Sequence, residues 1–432
     1  MSEAVGSKVE PTGSNQGRIS PGLVKINGAW ILAKDRKVEV TRLVFKINLY
    51  ESIMSPFLTG SLTLNDATGL AEAFPFIGEE ILILDVQTPG ADEKYARREY
   101  AFVVYKMEER ESPLPKTNLY TLQLMSAEAF TDMNTRVSQT FKGKISDTVK
   151  KLIESPSGLK TFKKVLVENT VNNEIHTSNF WSPTQNVYYL ATKALNFNNN
   201  PNYVFFEGNE GFIFASLDTL YSGEPIQSFV KDQYSRQGSD VEDIDMEYKK
   251  ILDMSIPTYY DYIDRLQQGY YGSSVYHYDI ETKRLHFVAR VAKDDFKKVN
   301  LNEFEVFGQE LQFHPYGQMF SQVIQRNLYN GSPVLPVDHG LRRMSLLKRS
   351  EALVTNISVF GRFDYTVGRT VDLMVYAERE LQAGQQDVLD TMLSGRYLIS
   401  ALNHEITGEK HMTYLELSKD SIARSLENTG KK

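Results

Sequence analysis

Apolar side chains fall on every second position through much of the first third of the chain, and that two-residue period commits it to β-structure. Between Val38 and Ile53, Leu43, Phe45, Ile47 and Leu49 lie on one face of an extended segment and Lys46, Asn48 and Tyr50 on the other. After Ser55-Pro56, Leu62 and Leu64 alternate with Ser61 and Thr63, and Gly60 suits a bend or bulge. Residues 77–87, 100–109 and 119–126 supply three more such segments. Five strands separated by turns that carry Pro and Gly predict a small antiparallel barrel.

The pattern has a distant echo. IGEEILILDVQ at 77–87 and VGRTVDLMVYA at 367–377 share an apolar-Gly-x-x-apolar-x-apolar order. Each is followed by a strand, a turn and a strand of related ending, YTLQLMSAE at 120–128 and TYLELSKDS at 413–421. Gly78 precedes Leu122 by 44 residues and Gly368 precedes Leu415 by 47, a difference that one loop absorbs. The expectation is a duplicated barrel, with Gly60, Gly78, Gly368 and Gly395 as structural turns of the repeated motif. Three copies of such a chain would present six similar barrels in a ring, so a threefold object could dock onto a sixfold one.

Between the echoes the text changes. KISDTVKKLIES places Ile145, Val149, Leu152 and Ile153 at helical spacing with Ser146 as a candidate cap, and TQNVYYLATKAL after Ser182-Pro183 reads as a second helix. Strand-like pieces at 165–170 and 203–217 make this region mixed α+β. The fold class is therefore mainly β with an α+β insertion. It divides into a flexible arm (1–22), a first barrel (23–130), a mixed region (131–230) and a strand-rich segment serving the second barrel and the middle (231–350). The C-terminal part of the second barrel (351–422) and a loose tail (423–432) complete it. At 432 residues, about three structural units are expected from roughly 150 residues per domain.

Composition removes several classes of function. A formal charge of −7 argues against a protein built to grip phosphates. The chain has no cysteine, hence no disulfide, thiolate nucleophile or thiolate metal site. The opening residues lack the apolar run of a signal peptide, and no apolar stretch approaches the ~20 residues that cross a bilayer, so no membrane insertion is expected. There is no GxxxxGK[ST], GxGxxG, GxSxG or HExxH, and none of the seven histidines is paired at i,i+4. Carboxylate pairs such as Glu79/Glu80 and Asp243/Asp245 suit solvated turns and strand edges, and Trp30 and Trp181 are too few for a sugar platform. No catalytic, cofactor-binding or metal-binding residue can be named, and the chain is read as a non-enzyme.

Three segments carry a family likeness. SPFLTGSLTLNDATGLAEAFPFIGEEI (55–81) combines P-F-x-x-G-x-L-x-L-x-D with F-P-F-x-G-E-E; RLQQGYYGSSVYHYDIETKR (265–284) holds G-x-Y-G-S, then Y-D and T-K; the third is SGRYLISALNHEITGEKHMTYLELSKDS (394–421). Together they resemble the baseplate hub proteins of contractile-tailed bacteriophages, which are similar to the base of type VI secretion spike proteins. The resemblance implies a structural homotrimer in the virion's tail baseplate, assembled in the host cytoplasm. Its hollow cylinder would meet the hexameric tail tube, or a tube-initiator protein, on one side and the trimeric central spike on the other, among neighbouring baseplate proteins. DNA would only pass through the lumen, and an acidic chain suits such a channel. Two other readings stay open: the base of a secretion or contractile-injection spike, which calls for a fused needle or effector, and a tail-associated cell-wall hydrolase, which calls for a pocket holding a carboxylate of raised pKa.

Overall fold

The computed structural model describes residues 20–34, 36–74, 76–89, 97–114, 117–231, 244–258, 261–291, 299–306, 319–324, 337–376 and 389–424. The expected N-terminal arm and the C-terminal tail lie largely outside these.

The first run of strands comprises β1 (Lys25–Ala33), β2 (Arg36–Glu39), β3 (Val44–Ser52), β4 (Thr59–Asp66), β5 (Ile81–Gln87), β6 (Arg97–Leu114) and β7 (Thr117–Ser126). They pair antiparallel in the spatial order β3-β4-β7-β6-β5-β1, with β2 outside β1. Their alternating side chains bury Ile47, Leu62, Leu64, Leu82, Leu84 and Leu122 completely, each contributing about 1.5–3 kcal/mol relative to exposure. A bulge between Val44 and Lys46 interrupts the alternation of β3 and leaves Phe45 49% exposed, against the expectation that it shares a face with Ile47.

The mixed region follows, with α1 (Ala127–Asn134), β8 (Thr140–Lys144), α2 (Ile145–Glu154), β9 (Val165–Val167), β10 (Asn173–Thr177), α3 (Pro183–Lys193), β11 (Tyr203–Gly208) and β12 (Gly211–Ser216). Helix α3 starts on a capping box formed by Ser182 and Gln185, with Pro183 in its first turn. In α2 the expected cap, Ser146, lies inside the first turn, and its backbone N–H donates to the Thr170 hydroxyl at 3.1 Å instead. The apolar faces of α2 and α3 share a core with Tyr203, Phe205, Phe212 and Phe214 of β11 and β12.

The remainder comprises β13 (Ser228–Lys231), β14 (Asp253–Ser255), β15 (Gly272–Asp279), β16 (Arg284–Val291), β17 (Phe304–Glu305), β18 (Met319–Ile324), α4 (Val337–Ser350), β19 (Leu353–Phe360), β20 (Thr370–Val375), β21 (Gly395–Thr407) and β22 (Lys410–Lys419). Strands β16-β15-β18 form a separate three-stranded sheet. Strand β17 pairs with the short strand Ser421–Ile422, and the remaining strands pair in the order β14-β19-β22-β21-β20-β13, which repeats the first run position for position. The two echo segments run into β5 and β20, and the segments of related ending into β7 and β22. One pairing breaks the repeat: β1 runs antiparallel to β5, whereas β13, entering from the mixed region, runs parallel to β20.

The sequence predicts two closed barrels; the ladders stay open among the described residues, and the two runs merge into one 13-stranded sheet. The cause lies in β21. Its first residues pair with β20, and past a bulge between Ile399 and Ala401 it turns away and pairs with β3 from Ala401–Ser52 to Thr407–Lys46. The edge of β3 that would close the first ring is thereby taken. In the second run an isolated bridge, with the Val230 N–H donating to the Lys249 carbonyl (2.8 Å), ties β13 to the segment before β14, while in the first the Val40 N–H donates to the Ala29 carbonyl (2.8 Å) and extends the β1–β2 ladder. Each run encloses its own apolar cluster.

Candidate functional site

The two runs and the mixed region meet at the loop 361–368, between β19 and β20. The loop starts with Gly361, whose N–H donates to the His411 carbonyl at 2.8 Å, and ends with Gly368, whose N–H donates to the Ile399 carbonyl at 3.0 Å. Between them the Phe363 carbonyl accepts from the Asn209 amide (2.6 Å) and from Arg98 (3.3 Å), so the β11–β12 turn and β6 both hold it. Glu51 of β3 takes the Thr366 hydroxyl at 2.8 Å and the Val367 N–H at 3.2 Å. Every tie spans a large sequence separation, and the site exists only once all three units have docked.

Its electrostatics follow from burial. The Glu51 carboxyl is fully enclosed and is pushed up to about 7, with Glu207 adding repulsion and the bonds from Thr366 and Val367 opposing. Beside it, Lys163 donates to Ser126 (2.6 Å), Glu128 (2.7 Å) and Glu207 (2.5 Å), and Glu207 also takes the Leu58 N–H at 3.0 Å. Burial raises Glu207 even against this ammonium, whereas Glu128, with Lys163, Ser126 and Thr161 as donors, is held below the usual range. A cleft of about 230 Å³ opens here, lined by Arg98, Tyr100, Lys163, Glu207 and Asn209 among others.

On the other side of the loop, His404 and His411, seven residues apart on the β21–β22 hairpin, meet ring to ring at 3.0 Å (Nδ1 to Nε2). Phe363 stacks on His411 with centroids 4.4 Å apart. Burial lowers His404 to about 4 and His411 well below its ordinary value, so both rings are neutral at pH 7. Gly361 makes room for them, since a Cβ there would lie 2.2 Å from the His411 ring.

The four glycines expected to serve as turns do not converge. Gly368 belongs to the seam loop; its φ is +78° and a Cβ would approach the Phe206 ring to 2.7 Å, so glycine is required twice over. Gly60 sits within β4 rather than in a turn, where the Asn48 carbonyl approaches too closely for a Cβ. Gly78 precedes β5 and Gly395 opens β21. Sequence reasoning missed Glu51, Lys163, Glu207 and the histidine pair. A signal existed for Glu51, which continues the inward register of Ile47 and Leu49, so that a carboxylate falls where the alternation demands an apolar residue. Among the described residues no group of three or more His, Cys, Asp or Glu is placed to hold a metal ion, and no helix is long and apolar enough to cross a membrane.

No protein-family profile matches the chain, and no curated protein matches it. Solved structures do. The tail protein from Neisseria meningitidis aligns over 91% of this chain and 96% of its own length with a TM-score of 0.51 and 12% identity. The 43 kDa tail protein of prophage MuSo2 from Shewanella oneidensis aligns over 91% and 98% with a TM-score of 0.52 and 9% identity. This is a tail-protein fold. A component of the E. coli type VI secretion system, described by its similarity to tail proteins of bacteriophage T4, also aligns, over 93% of this chain and 77% of its own, at a TM-score of 0.41 and 7% identity. Tail proteins are thus what the chain is similar to in fold. At these identities the shared property is the fold, and within that fold the seam loop is where the repeated and unrepeated parts are locked together.

Proposed function

We propose that the chain is a structural, non-catalytic baseplate hub subunit of a contractile phage tail. Three copies form a ring of pseudo-sixfold symmetry that joins the hexameric tail tube to the trimeric central spike and encloses the channel through which DNA passes. The observation that carries this reading is the repeated strand order, β3-β4-β7-β6-β5-β1 and β14-β19-β22-β21-β20-β13, within one chain. A chain with two like halves offers a sixfold partner six like surfaces from three copies, and cyclic closure is the ordinary route to such a ring. Each half, at about 23–130 and in a discontinuous unit ending at 351–422, is taken as a small curled barrel. The mixed region at 131–230, present once per chain, can offer only three equal surfaces and is assigned to the spike. The place of action is the virion tail, which agrees with tail proteins as structural neighbours.

The test is the mass and rotational symmetry of the purified protein, alone and with its spike, by light scattering and electron-microscope class averages. A trimer with six similar lobes on one face is expected. A monomer that persists with the spike present, or a true hexamer, overturns the reading.

A further inference from the structure

The internal seam shows how one half joins the next. Past its bulge at Ile399/Ala401, β21 leaves β20 and pairs with β3, the strand outside β4. By position in the repeat, the counterpart of β21 is β6 and that of β3 is β14. The bulge repeats as well: β6 is irregular between Val104 and Lys106 opposite Leu124 and Gln123, as β21 is between Ile399 and Ala401 opposite Leu417 and Glu416. Past its bulge β6 pairs with β7 on one side, and among the described residues no strand pairs with it on the other. Strand β14 pairs with β19 on one side and ends the path of the sheet. The two edges left over within one chain are thus the counterparts of the two edges that the seam joins.

We propose that a second copy of this chain completes the pattern, the far part of β6, from Lys106 onward, pairing antiparallel with β14 of the next copy as β21 pairs with β3 inside one copy. The proposal rests on the ring reading above and deepens it by naming the contact. Such a contact is head-to-tail, so it generates a closed ring or an open fibre according to the rotation between halves. It also explains how the edges are guarded. Glu108, Glu109, Arg110 and Glu111 on one, and Asp253 and Pro257 on the other, are the charges and proline that keep an open strand edge from pairing indiscriminately. Register follows from the repeat. Glu108 stands two residues past the bulge residue Lys106, as Asn403 stands past Ala401. Pro257 stands three past Met254, as Tyr50 stands past Ile47, where Ile47 faces Leu62 and Met254 faces Ile357. Because Asn403 faces Tyr50 across the seam, Glu108 should face the vicinity of Pro257 in the next copy.

The chain has no cysteine, so introduced thiols are the only ones present. Glu108→Cys is combined in turn with Ile256→Cys, Pro257→Cys and Thr258→Cys in the full-length assembled protein, which is oxidised mildly and run on a denaturing gel without reductant. The expected result is a covalent trimer, with dimer as intermediate and reversal by reductant, from at least one pair. The pair Tyr50→Cys with Asn403→Cys should close within one chain and leave monomer mass, which controls for access of the oxidant and for folding. If the protein is trimeric by mass, the control pair closes and none of the three pairs links copies, this contact is wrong and the ring reading stands. Covalent ladders beyond three also overturn the contact as a ring closure. A wild-type protein that stays monomeric removes the ring reading and the contact with it.

Discussion

Replacing Lys163 by methionine tests what the polar seam contributes. The ammonium is bonded to two buried carboxylates, Glu128 and Glu207, whose side chains are 10% and 1% exposed. Methionine keeps most of the volume and removes three charge-assisted bonds. Removing one partner of a buried pair costs roughly 3–5 kcal/mol, because the remaining charge is stranded. Lys163 itself is one-third exposed, which allows water to replace part of the loss, so about 3 kcal/mol is expected. Urea unfolding followed by circular dichroism, with Trp181 fluorescence reporting the mixed region and Trp30 the first run, measures it. The same loss should shrink by at least half in Lys163→Met combined with Glu207→Gln, since a neutral amide in place of the carboxylate removes one stranded charge. A loss under about 1 kcal/mol, or a double variant no better than the single one, would refute the account of this cluster as a charge-balanced joint.

Two further outcomes are expected. The folded-state value of His404, about 4 against an ordinary 6.5, means that the unfolded chain takes up a proton between those values and the folded one does not, so stability should fall by about 3 kcal/mol from pH 6.5 to pH 4. Glu51, raised to about 7, works in the opposite sense from pH 7 down to 4.5. The acid loss should therefore appear clearly in Glu51→Gln melts and be reduced by adding His404→Asn; a flat profile in Glu51→Gln is the contrary result. Charge reversals on exposed residues of the two repeated runs should abolish tube binding in pull-downs and leave spike binding intact, with changes at 131–230 doing the reverse; the opposite pattern would invert the assigned polarity.

How much of this could be read from the residues depends on the range of each interaction. Strands β3, β4, β5 and β7 and helices α2 and α3 are legible because each is dictated by a period within about a dozen residues: Leu62 and Leu64 with period two, and Ile145, Val149, Leu152 and Ile153 with a helical one. The echo between β5 and β20 is legible for the same reason, being two local patterns compared. The joining of the halves is not. It depends on β21 changing partner at a bulge, and nothing in the text around Ser400 marks the change of neighbour from β20 to β3. Phe45 was misplaced by a similar bulge, which shifts one residue out of the alternation without altering the composition.

The seam lies further still from the reach of local rules. Glu51 and Thr366 are 315 residues apart, and Leu58 and Glu207 are 149 apart. What the text does carry is the anomaly, a charged residue at an inward position. Lys419 repeats it on β22, fully buried behind Leu415 and Leu417, where its ammonium donates to the Met392 and Ser394 carbonyls and burial drops it to about 7. A buried charge is tolerated only where partners are supplied, so each such anomaly announces a long-range contact without saying with what. The partners here come from loops between strands: 361–368 for Glu51, the β11–β12 turn for that loop, and 390–394 for Lys419. The repeated strands specify two similar bodies by apolar alternation. The unrepeated polar groups then fix how those bodies sit against each other, because a slip of the seam would leave Glu51 and Glu207 buried without their donors.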